Sequence, residues 1–440
     1  MSDQRNLRDL LGDELVQREQ SGYAVDDSLA EKVRAAAGDE TVSGQQIAEL
    51  YEQLDAAELR TDWEHEEPSA LEDILAAAPD APSAATPPGQ DELADRILAA
   101  WLGRCAGCNL GKPVEGRGWN RANLRDYLQA AGAFPLDDYV PVIDPMPEGV
   151  AFHPSWPAAT RGRIVGMARD DDTDYTLLGL KILETYGRGY TSSDVGSEWL
   201  SGMPYLTVYT AERIAYRNLV LGLVPPDTAR HHNPYREWIG AMIRADIFGY
   251  VSPGDPGGAA RLAYQDAALS HTANGIYGEM WAAALIAASL TSSSAREAIE
   301  QAMLVVPAES RLSDSLRTTI GAHDAGRSWD KAMDSMEQRL GGYHWVHTIN
   351  NAEVVAAALL WGEGDFGRTI GLAVEAGLDT DCDGATAGSV FGALHGTKAI
   401  PCHWTEPLRD TMHSALLGFD GAAITSLAQR TLVLATAPGH

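Results

Sequence analysis

Apolar and small residues recur every three to four positions through most of the chain after residue 90, which is the spacing of one face of an α-helix. Clear examples are the segments "TLLGLKILETYG", "AERIAYRNLVLGL", "GEMWAAALIAASL" and "NAEVVAAALLWGEG". Runs that alternate apolar and polar residues between Asn-Gly turns, as strands of hairpins do, are nearly absent. We therefore predict an all-α fold, a compact bundle of helices.

The pattern changes near residue 90. The preceding residues are rich in alanine and acid, and they end in "AAAPDAPSAATPPGQ", which has the composition of a linker. Two earlier segments, "LRDLLGDELVQREQ" and "GQQIAELYEQLDAAEL", have helical spacing. We predict an acidic helical extension with a linker over residues 1–90 and a catalytic domain over 91–440. Within that domain the Pro- and Asp-rich stretch 134–169 should form loops over one face.

The net charge narrows the range of partners. The 440 residues carry a formal charge of -29, which argues against nucleic acid or an anionic membrane as a partner, because both bind basic surfaces. The N-terminus "MSDQRNLRDLLGDELVQREQ" is charged throughout and does not read as a signal peptide. The best apolar run, "MWAAALIAASL", is too short to span a bilayer. We expect a soluble cytoplasmic protein whose oligomeric state the sequence does not give.

Four cysteines in a chain of this length do not form a disulfide framework. Cys105 and Cys108 have the C-x-x-C spacing of a zinc half-site or a redox pair. No second C-x-x-C completes a zinc site, and no thioredoxin-like strand precedes the pair. Small helix-packing residues are the favoured interpretation.

Candidate chemistry appears in "GLDTDCDGATAGSVFGALHG", where Asp379, Asp381 and Asp383 occupy alternate positions before a helix. Helix capping accounts for one aspartate but not for three. The helix that follows has glycines at 384, 388, 392 and 396. Their four-residue spacing places them on one face, where another backbone can approach closely. We predict that this helix packs tightly in the middle of the domain.

A second acidic run, "ARDDDTDYTLLGLKIL", also opens a predicted helix. A single run of this kind is typical of an acidic N-cap. Two such runs point instead to a cation site, because adjacent carboxylates repel each other unless a cation lies between them. Mg²⁺ prefers oxygen ligands, so one or two Mg²⁺ ions between the helix starts are predicted; Mn²⁺ and Ca²⁺ suit the ligands nearly as well.

These motifs, in this order, resemble those of the ADP-ribosylglycohydrolases, the family related to dinitrogenase reductase-activating glycohydrolase. The resemblance covers about residues 92 to 400. "GCNLGKPVEG" is similar to the family's Gly-rich turn and glutamate, with Glu115 at the glutamate position. "DDDT" is similar to its first metal motif, and the stretch around Asp379 resembles its last motif. "LSHTANGIYGEM", with His271, is a weaker match to a middle Thr-His segment.

The resemblance implies a compact orthogonal bundle of α-helices and a pair of Mg²⁺ ions beneath a ribosyl group. The residues at the family's first metal position are Asp170, Asp171, Asp172 and Asp381. Those at the second are Glu115, Asp379, Asp381 and Cys382, so that Asp381 bridges the two ions. The implied reaction is hydrolysis of a ribosyl C1 bond, with Asp381 and Glu115 as catalytic residues and Glu115 as general base or water-steering carboxylate.

The sequence departs from the family pattern at two positions. Position 382 is usually Thr and is Cys here, a poor ligand for a hard cation. The second metal is therefore expected to bind more weakly, to be replaced by water or to use Asp383 as well. Many relatives have Asp where this chain has Cys108. Both changes suggest a subfamily whose substrate differs from an ADP-ribosylated protein.

Further polar residues are candidates for contacts with substrate. These candidates are Asn109, His271, Asn274, Tyr277 and Asn350. For His271 a role as a cap or packing group is the competing interpretation. His344, Trp345 and His347 form either a polar rim or a satisfied patch of the core.

Three functions stay open at this point. The first is a metal-dependent glycosidase acting on an ADP-ribosylated protein or small molecule. The second is a hydrolase of another ribosylated compound, such as a nucleoside. The third is an ADP-ribose-binding protein with weak catalysis, which retention of Glu115 and the acidic residues disfavours.

Overall fold

The computed structural model of the chain describes residues 7–80 and 82–437. The remaining positions include the first six residues, which belong to the segment predicted not to be a signal peptide. They also include the start of the predicted N-terminal extension and the end of the predicted catalytic domain. Those parts of the predictions lie outside the described residues.

The fold is all-α, which confirms the predicted class. Within the described ranges no β-strand forms, and the extended pairing consists of isolated bridges. In chain order, helices α1 to α21 span Leu7–Gln20, Asp27–Ala37, Gly44–Asp55, Leu71–Ala77, Gln90–Gly111, Arg121–Ala130, Asp171–Tyr186, Ser192–Gly202, Thr210–Val220, Asp227–Arg230, Asp246–Tyr250, Pro256–Ala267, Asn274–Ser289, Ala295–Ala302, Arg311–Asp324, Trp329–Leu340, Thr348–Trp361, Phe366–Glu375, Thr380–His395, Cys402–Thr405 and Ile424–Thr436. Short 3-10 turns link several of them.

Helices α5 and α19 form the centre of the bundle. Their backbones touch along a face of small residues, so that a Cβ added at Gly107 would lie 1.8 Å from the Gly384 carbonyl oxygen. One turn away, a Cβ at Gly388 would lie 2.2 Å from the Gly103 carbonyl oxygen. No side chain fits at such distances, because real Cβ contacts are more than an ångström longer. The predicted tight packing of the glycine face is confirmed.

Other central helices are apolar on all sides. Every residue of α13 and of α17 is buried, as expected for helices without a polar face that lie inside a large domain. Cys105 and Cys108 are free thiols buried in α5, which agrees with the helix-packing interpretation of the C-x-x-C spacing.

Helices α1 to α3 share a small apolar cluster of their own. Helix α1 also contacts the rest of the bundle, where Leu10 packs against Ala211, Ile214 and Tyr235. Buried ion pairs reinforce this contact. We call them the N-terminal seam: Glu14, Glu67, Arg236, Glu237 and Arg311. The boundary at residue 90 stays a prediction.

The stretch 134–169 contains no α-helix and only the 3-10 turn Trp156–Ala158, as predicted for a looped segment. It passes beside the end of α5, where the His153 amide donates to the Pro113 carbonyl oxygen at 2.9 Å. None of the helices formed by residues 7–80 and 82–437 combines the length and apolar character that crossing a bilayer requires.

Candidate metal centre

Three segments bring six carboxylates together at one end of the bundle. Helix α7 begins directly after Asp170, whose side chain accepts from the Asp172 amide at 3.1 Å. Helix α19 begins directly after Asp379. The segment after α5 contributes the third group. The acidic centre, as we name it, consists of Glu115, Asp170, Asp171, Asp172, Asp379 and Asp381.

The glycine contact explains why these helix ends meet. A Cβ at Gly111, the last residue of α5, would lie 2.1 Å from the Thr380 carbonyl oxygen in the first turn of α19. The Thr380 hydroxyl also donates to the Gly111 carbonyl oxygen at 2.9 Å. The end of α5 and the start of α19 are therefore fixed against each other, which sets Asp381 beside the residues that follow α5.

Lys112, the first residue after α5, lies inside the acidic centre. Its Nζ is 2.5 Å from Asp170 Oδ2, 2.8 Å from Asp381 Oδ2 and 2.7 Å from Glu115 Oε2. Burial would lower the pKa of this ammonium, but the charges of Asp170 and Asp381 raise it well above its ordinary value. Lys112 is therefore a buried, permanently charged cation in contact with three of the six carboxylates.

Asp172 has a different set of neighbours. Arg104, fully buried in α5, donates to the Asp172 carbonyl oxygen at 2.7 Å and lies 3.7 Å from Asp172 Oδ1. The same guanidinium pairs with Asp246 at 2.7 Å. The Cys382 thiol donates to Asp172 Oδ2 at 3.2 Å. One shared arginine and a neutral thiol leave Asp172 incompletely compensated.

The carboxylates exceed the positive charge around them. Burial and the charge of Asp381 raise the pKa of Glu115 to about 8. Burial and the charge of Asp170 raise that of Asp171 to about 7. Burial, reinforced by Asp381, raises the pKa of Asp379 well above its ordinary value. Asp170 differs, because the Lys112 ammonium outweighs its burial and lowers its pKa. Without another cation the centre can be neutralised only by protons.

The donor atoms fit a hard divalent cation. Asp172 Oδ1 and Asp381 Oδ1 are buried and accept no hydrogen bond from the described residues. Two groups of side chains place their ligand atoms within 4.8 Å of one another: Cys108 with Asp170, Asp172 and Asp381, and Asp379 with Asp381 and Cys382. Oxygens without partners in an acidic cluster are the donors that Mg²⁺ or Mn²⁺ requires.

The two cysteines fit such a cation less well. Burial, with the nearby carboxylates, raises the pKa of the Cys108 and Cys382 thiols well above the ordinary value. A protonated thiol is a poor ligand. Asp383 lies outside both groups and is fully buried, with its two carboxylate oxygens accepting no hydrogen bond from the described residues. Burial raises its pKa well above the ordinary value.

The acidic centre opens into a cavity of about 1120 Å³. Lys112, Glu115, Asp171 and Asp381 line its acidic end. The cavity lining also contains aromatic and histidine side chains: Tyr205, Tyr209, Tyr235, Trp238, Tyr343, His344 and Trp345. Trp238 and His344 stack there with ring centroids 4.3 Å apart. Helix α1 contributes Leu10, Asp13, Val16, Gln17 and Gln20 to the same lining.

Sequence reasoning missed two residues at the acidic end. Lys112 is inside the quoted motif "GCNLGKPVEG", and a lysine three residues before the key glutamate in a chain with five lysines was the available signal. The other is His153, whose Nε2 lies 3.9 Å from Glu115 Oε2. Burial and the Lys112 charge lower the pKa of His153 to about 4, so its ring is neutral. No local pattern marked His153 within its loop.

The predicted substrate-binding residues do not line this cavity as the described residues form it. Asn109 is fully buried; its amide donates to the Gly166 carbonyl oxygen at 3.3 Å and accepts from the Ala168 amide at 3.2 Å. It thus holds the loop that leads to Asp170. His271 is buried too, with Nδ1 2.8 Å from the Ser270 hydroxyl.

The other three candidates also bond within the protein. Asn274 donates to Glu237 at 2.9 Å, and the Tyr277 hydroxyl donates to the Pro68 carbonyl oxygen. Asn350 donates to the His344 carbonyl oxygen at 3.0 Å. These contacts support structural roles, while contact with substrate stays a prediction. Of the possible rim residues, His344 and Trp345 line the cavity, whereas His347 is fully buried.

Comparisons with known proteins identify the family of the chain. The model of the family described as ADP-ribosylglycohydrolase matches residues 89–439. A solved structure described as an ADP-ribosylglycohydrolase-related protein complex is similar over 78% of this chain and 98% of its own, at 20% identity and a TM-score of 0.46. No curated protein matches the sequence.

Proposed function

Because the chain belongs to the ADP-ribosylglycohydrolase family, we propose that it is a divalent-metal-dependent hydrolase of a ribosyl C1 glycosidic bond, in an ADP-ribosylated protein or small molecule. Membership supports the glycosidic hydrolysis. The metal dependence rests on one observation above all: six carboxylates converge at the end of a large cavity, and Asp172 and Asp381 each keep a buried oxygen without a hydrogen bond from the described residues.

Asp381 would hold the cation, together with Asp172 in one group of ligand atoms or with Asp379 in the other. When bound, a divalent ion would supply a Lewis acid for the ribose hydroxyls and for water. The protein's own contribution is a rigid acidic floor, because the first turns of α7 and α19 fix the carboxylates relative to each other. Positioning of this kind lowers the entropic part of the barrier.

Glu115 is the proposed general base or water-steering group. It lines the cavity, and its side chain keeps 24% exposure although it is held by Lys112. Burial and Asp381 raise its pKa to about 8, and a divalent cation beside it would lower that pKa and favour the ionised form that a general base requires. His153, neutral and 3.9 Å away, can orient Glu115 or the water beside it.

The aromatic lining of the cavity supports a nucleotide-like substrate. Trp238, Tyr343 and Trp345 line the same cavity as the acidic centre, and aromatic side chains favour contact with a purine base. A cavity of about 1120 Å³ has room for a ribosyl group and a base together. The substrate itself, N-linked or O-linked, belongs to the proposal.

The test is a panel of ribosylated substrates offered to the purified full chain with Mg²⁺, with Mn²⁺ or with EDTA. The panel contains N-linked and O-linked ADP-ribosyl compounds, ADP-ribosylated protein and nucleosides, and the released sugar is measured. We expect metal-dependent cleavage of at least one ADP-ribosyl compound, lost in Glu115→Ala. Cleavage of nucleosides alone would favour the second function, and ADP-ribose binding without any cleavage would contradict catalysis.

A further inference from the structure

Lys112 lies among the carboxylates that are candidates for holding a metal ion. The side chain is 7% exposed, and its ammonium contacts Asp170, Glu115 and Asp381 at 2.5 to 2.8 Å. One ammonium that contacts three carboxylates at these distances offers them a positive charge supplied by the protein itself.

The three contacts span both metal positions implied by the sequence. Asp170 belongs to the first set of ligands, Glu115 to the second, and Asp381 to both. The ammonium is therefore placed between the two positions and uses Asp381 Oδ2, an oxygen that a bridging carboxylate would need for a metal. Two dications beside this ammonium would bring three positive centres into a few ångströms, where they repel strongly.

The remaining donors are sufficient for one ion. Asp172 Oδ1 and Asp381 Oδ1 are buried and accept no hydrogen bond from the described part of the chain. Asp379 adds a carboxylate within 4.8 Å of Asp381 and Cys382. At the second position the Cys382 thiol already donates to Asp172 Oδ2 at 3.2 Å, and sulfur is a poor ligand for a hard cation, so the donor set there is weak as well.

We propose that the Lys112 ammonium replaces one of two cations, so that the acidic centre binds a single divalent ion, with Asp381 and either Asp172 or Asp379 among its ligands. Lys112 also positions Glu115 beside that ion through their contact. The inference rests on the metal site of the proposed function, and it deepens that function by assigning the second positive charge to the protein itself.

Metal stoichiometry tests the proposal without any substrate. Metal-free full chain is titrated with Mn²⁺ by isothermal titration calorimetry, and bound Mn²⁺ is counted after dialysis. We expect one ion per wild-type chain and two per Lys112→Ala chain. Lys181→Met is the matched control, because Lys181 pairs with Glu198 at 2.6 Å far along α7; it should bind one ion.

Electron paramagnetic resonance of the Mn²⁺-loaded protein is the second readout. The wild type should give the spectrum of an isolated ion, and Lys112→Ala should give the broadened spectrum of two ions coupled through a shared carboxylate. Two ions or none in the wild type overturns the proposal, even if the variant fails to fold. A folded Lys112→Ala protein that still binds one ion also overturns it.

Failure of the proposed function is distinguishable from failure of this inference. A wild type that binds one Mn²⁺ and cleaves no ribosylated compound would retain the inference and reject the enzyme. Metal-dependent cleavage by a wild type with two bound ions would support the proposed enzyme and reject the inference about Lys112.

Discussion

The acidic centre and the N-terminal seam are both buried and both rich in carboxylates, but they differ in how much positive charge lies beside those carboxylates. In the seam, Arg236 forms two bonds with Glu14, at 2.8 and 3.0 Å, and Arg311 lies 2.8 Å from Glu67 and 2.6 Å from Glu237. In the acidic centre, six carboxylates have Lys112 and two arginines shared with other acids, Arg104 with Asp246 and Arg169 with Asp174.

The pKa values follow this difference. Burial alone would raise the pKa of Glu237, but Arg311 lowers it to about 2. Glu14 is shifted in the same direction, because Arg236 and Arg18 outweigh its burial. Glu115 and Asp171 are shifted upwards instead, to about 8 and about 7. Arginines balance the carboxylates of the N-terminal seam, whereas the acidic centre holds more carboxylates than positive charges and lines a cavity that a cation can enter.

Replacing Asp381 should have the largest effect on function and little on the fold. Asp381→Asn removes the carboxylate common to both candidate ligand groups, and we expect turnover to fall by at least roughly 1000-fold. The metal-free melting temperature should stay level or rise, because one repelling charge is gone. Exposed Asp73→Asn is the control. Unchanged turnover in Asp381→Asn would end the assignment of Asp381 as shared ligand.

Replacing Arg311 should reduce the stability of the fold and have little direct effect on turnover. Arg311→Met leaves Glu67 and Glu237 buried without their cation, which costs about 3–5 kcal/mol, measured by chemical denaturation. The exposed pairs of Arg296 with Glu300 and Asp324 provide a control. Arg296→Met should change stability little, because solvent screens such pairs. Equal effects of the two variants would contradict the structural role of the seam.

The glycine contact links the acidic centre to the bundle, and Gly107→Ala tests that link. The added methyl group would meet the Gly384 carbonyl oxygen, so we expect a loss of about 1–3 kcal/mol and weaker metal binding. In the exposed part of α15, a Cβ at Gly321 meets nothing within 4 Å. Gly321→Ala should therefore stabilise the protein by up to about 1 kcal/mol. A neutral Gly107→Ala would argue against the close helix approach.

The smallest expected effect is on the pH dependence of stability, which should differ between the N-terminal seam and the acidic centre. Glu237 has a folded pKa of about 2 against 4.5, so its contribution is full above pH 4.5 and is lost as the pH falls towards 2. Glu115 and Asp171 have raised folded values. Their protonated forms favour the folded state at low pH, and this stability is lost as the pH rises through about 7 to 8.

Melting temperatures across this range, with EDTA and with Mg²⁺, measure both contributions. In EDTA the melting temperature should decline between pH 5 and 8, and Mg²⁺ should reduce the decline because it compensates the ionised carboxylates. A decline that is the same with and without the ion would argue against cation binding at the acidic centre.

Much of the acidic centre could be predicted from the sequence because its residues are organised locally. Asp170 and Asp172 open one helix and Asp379 and Asp381 another, and each run of acid is visible within a few residues. The spacing of the glycines in α19 predicted that another backbone approaches this helix closely, and the structure identifies that neighbour as α5. The predicted contacts of Asn109 and Asn274 with substrate had no such pattern, and in the structure both side chains bond within the protein.

The sequence by itself therefore determined the all-α class, the two acidic helix starts and the glycine face, since hydrophobic period, capping and residue size act over one or two helical turns. Tertiary packing alone decided that the Lys112 ammonium sits between carboxylates of separate helices, that His153 from a loop reaches Glu115, and that α1 forms part of the cavity wall. These contacts join residues far apart in the chain. Their existence depends on how whole helices pack, and no local pattern of residues encodes that distance.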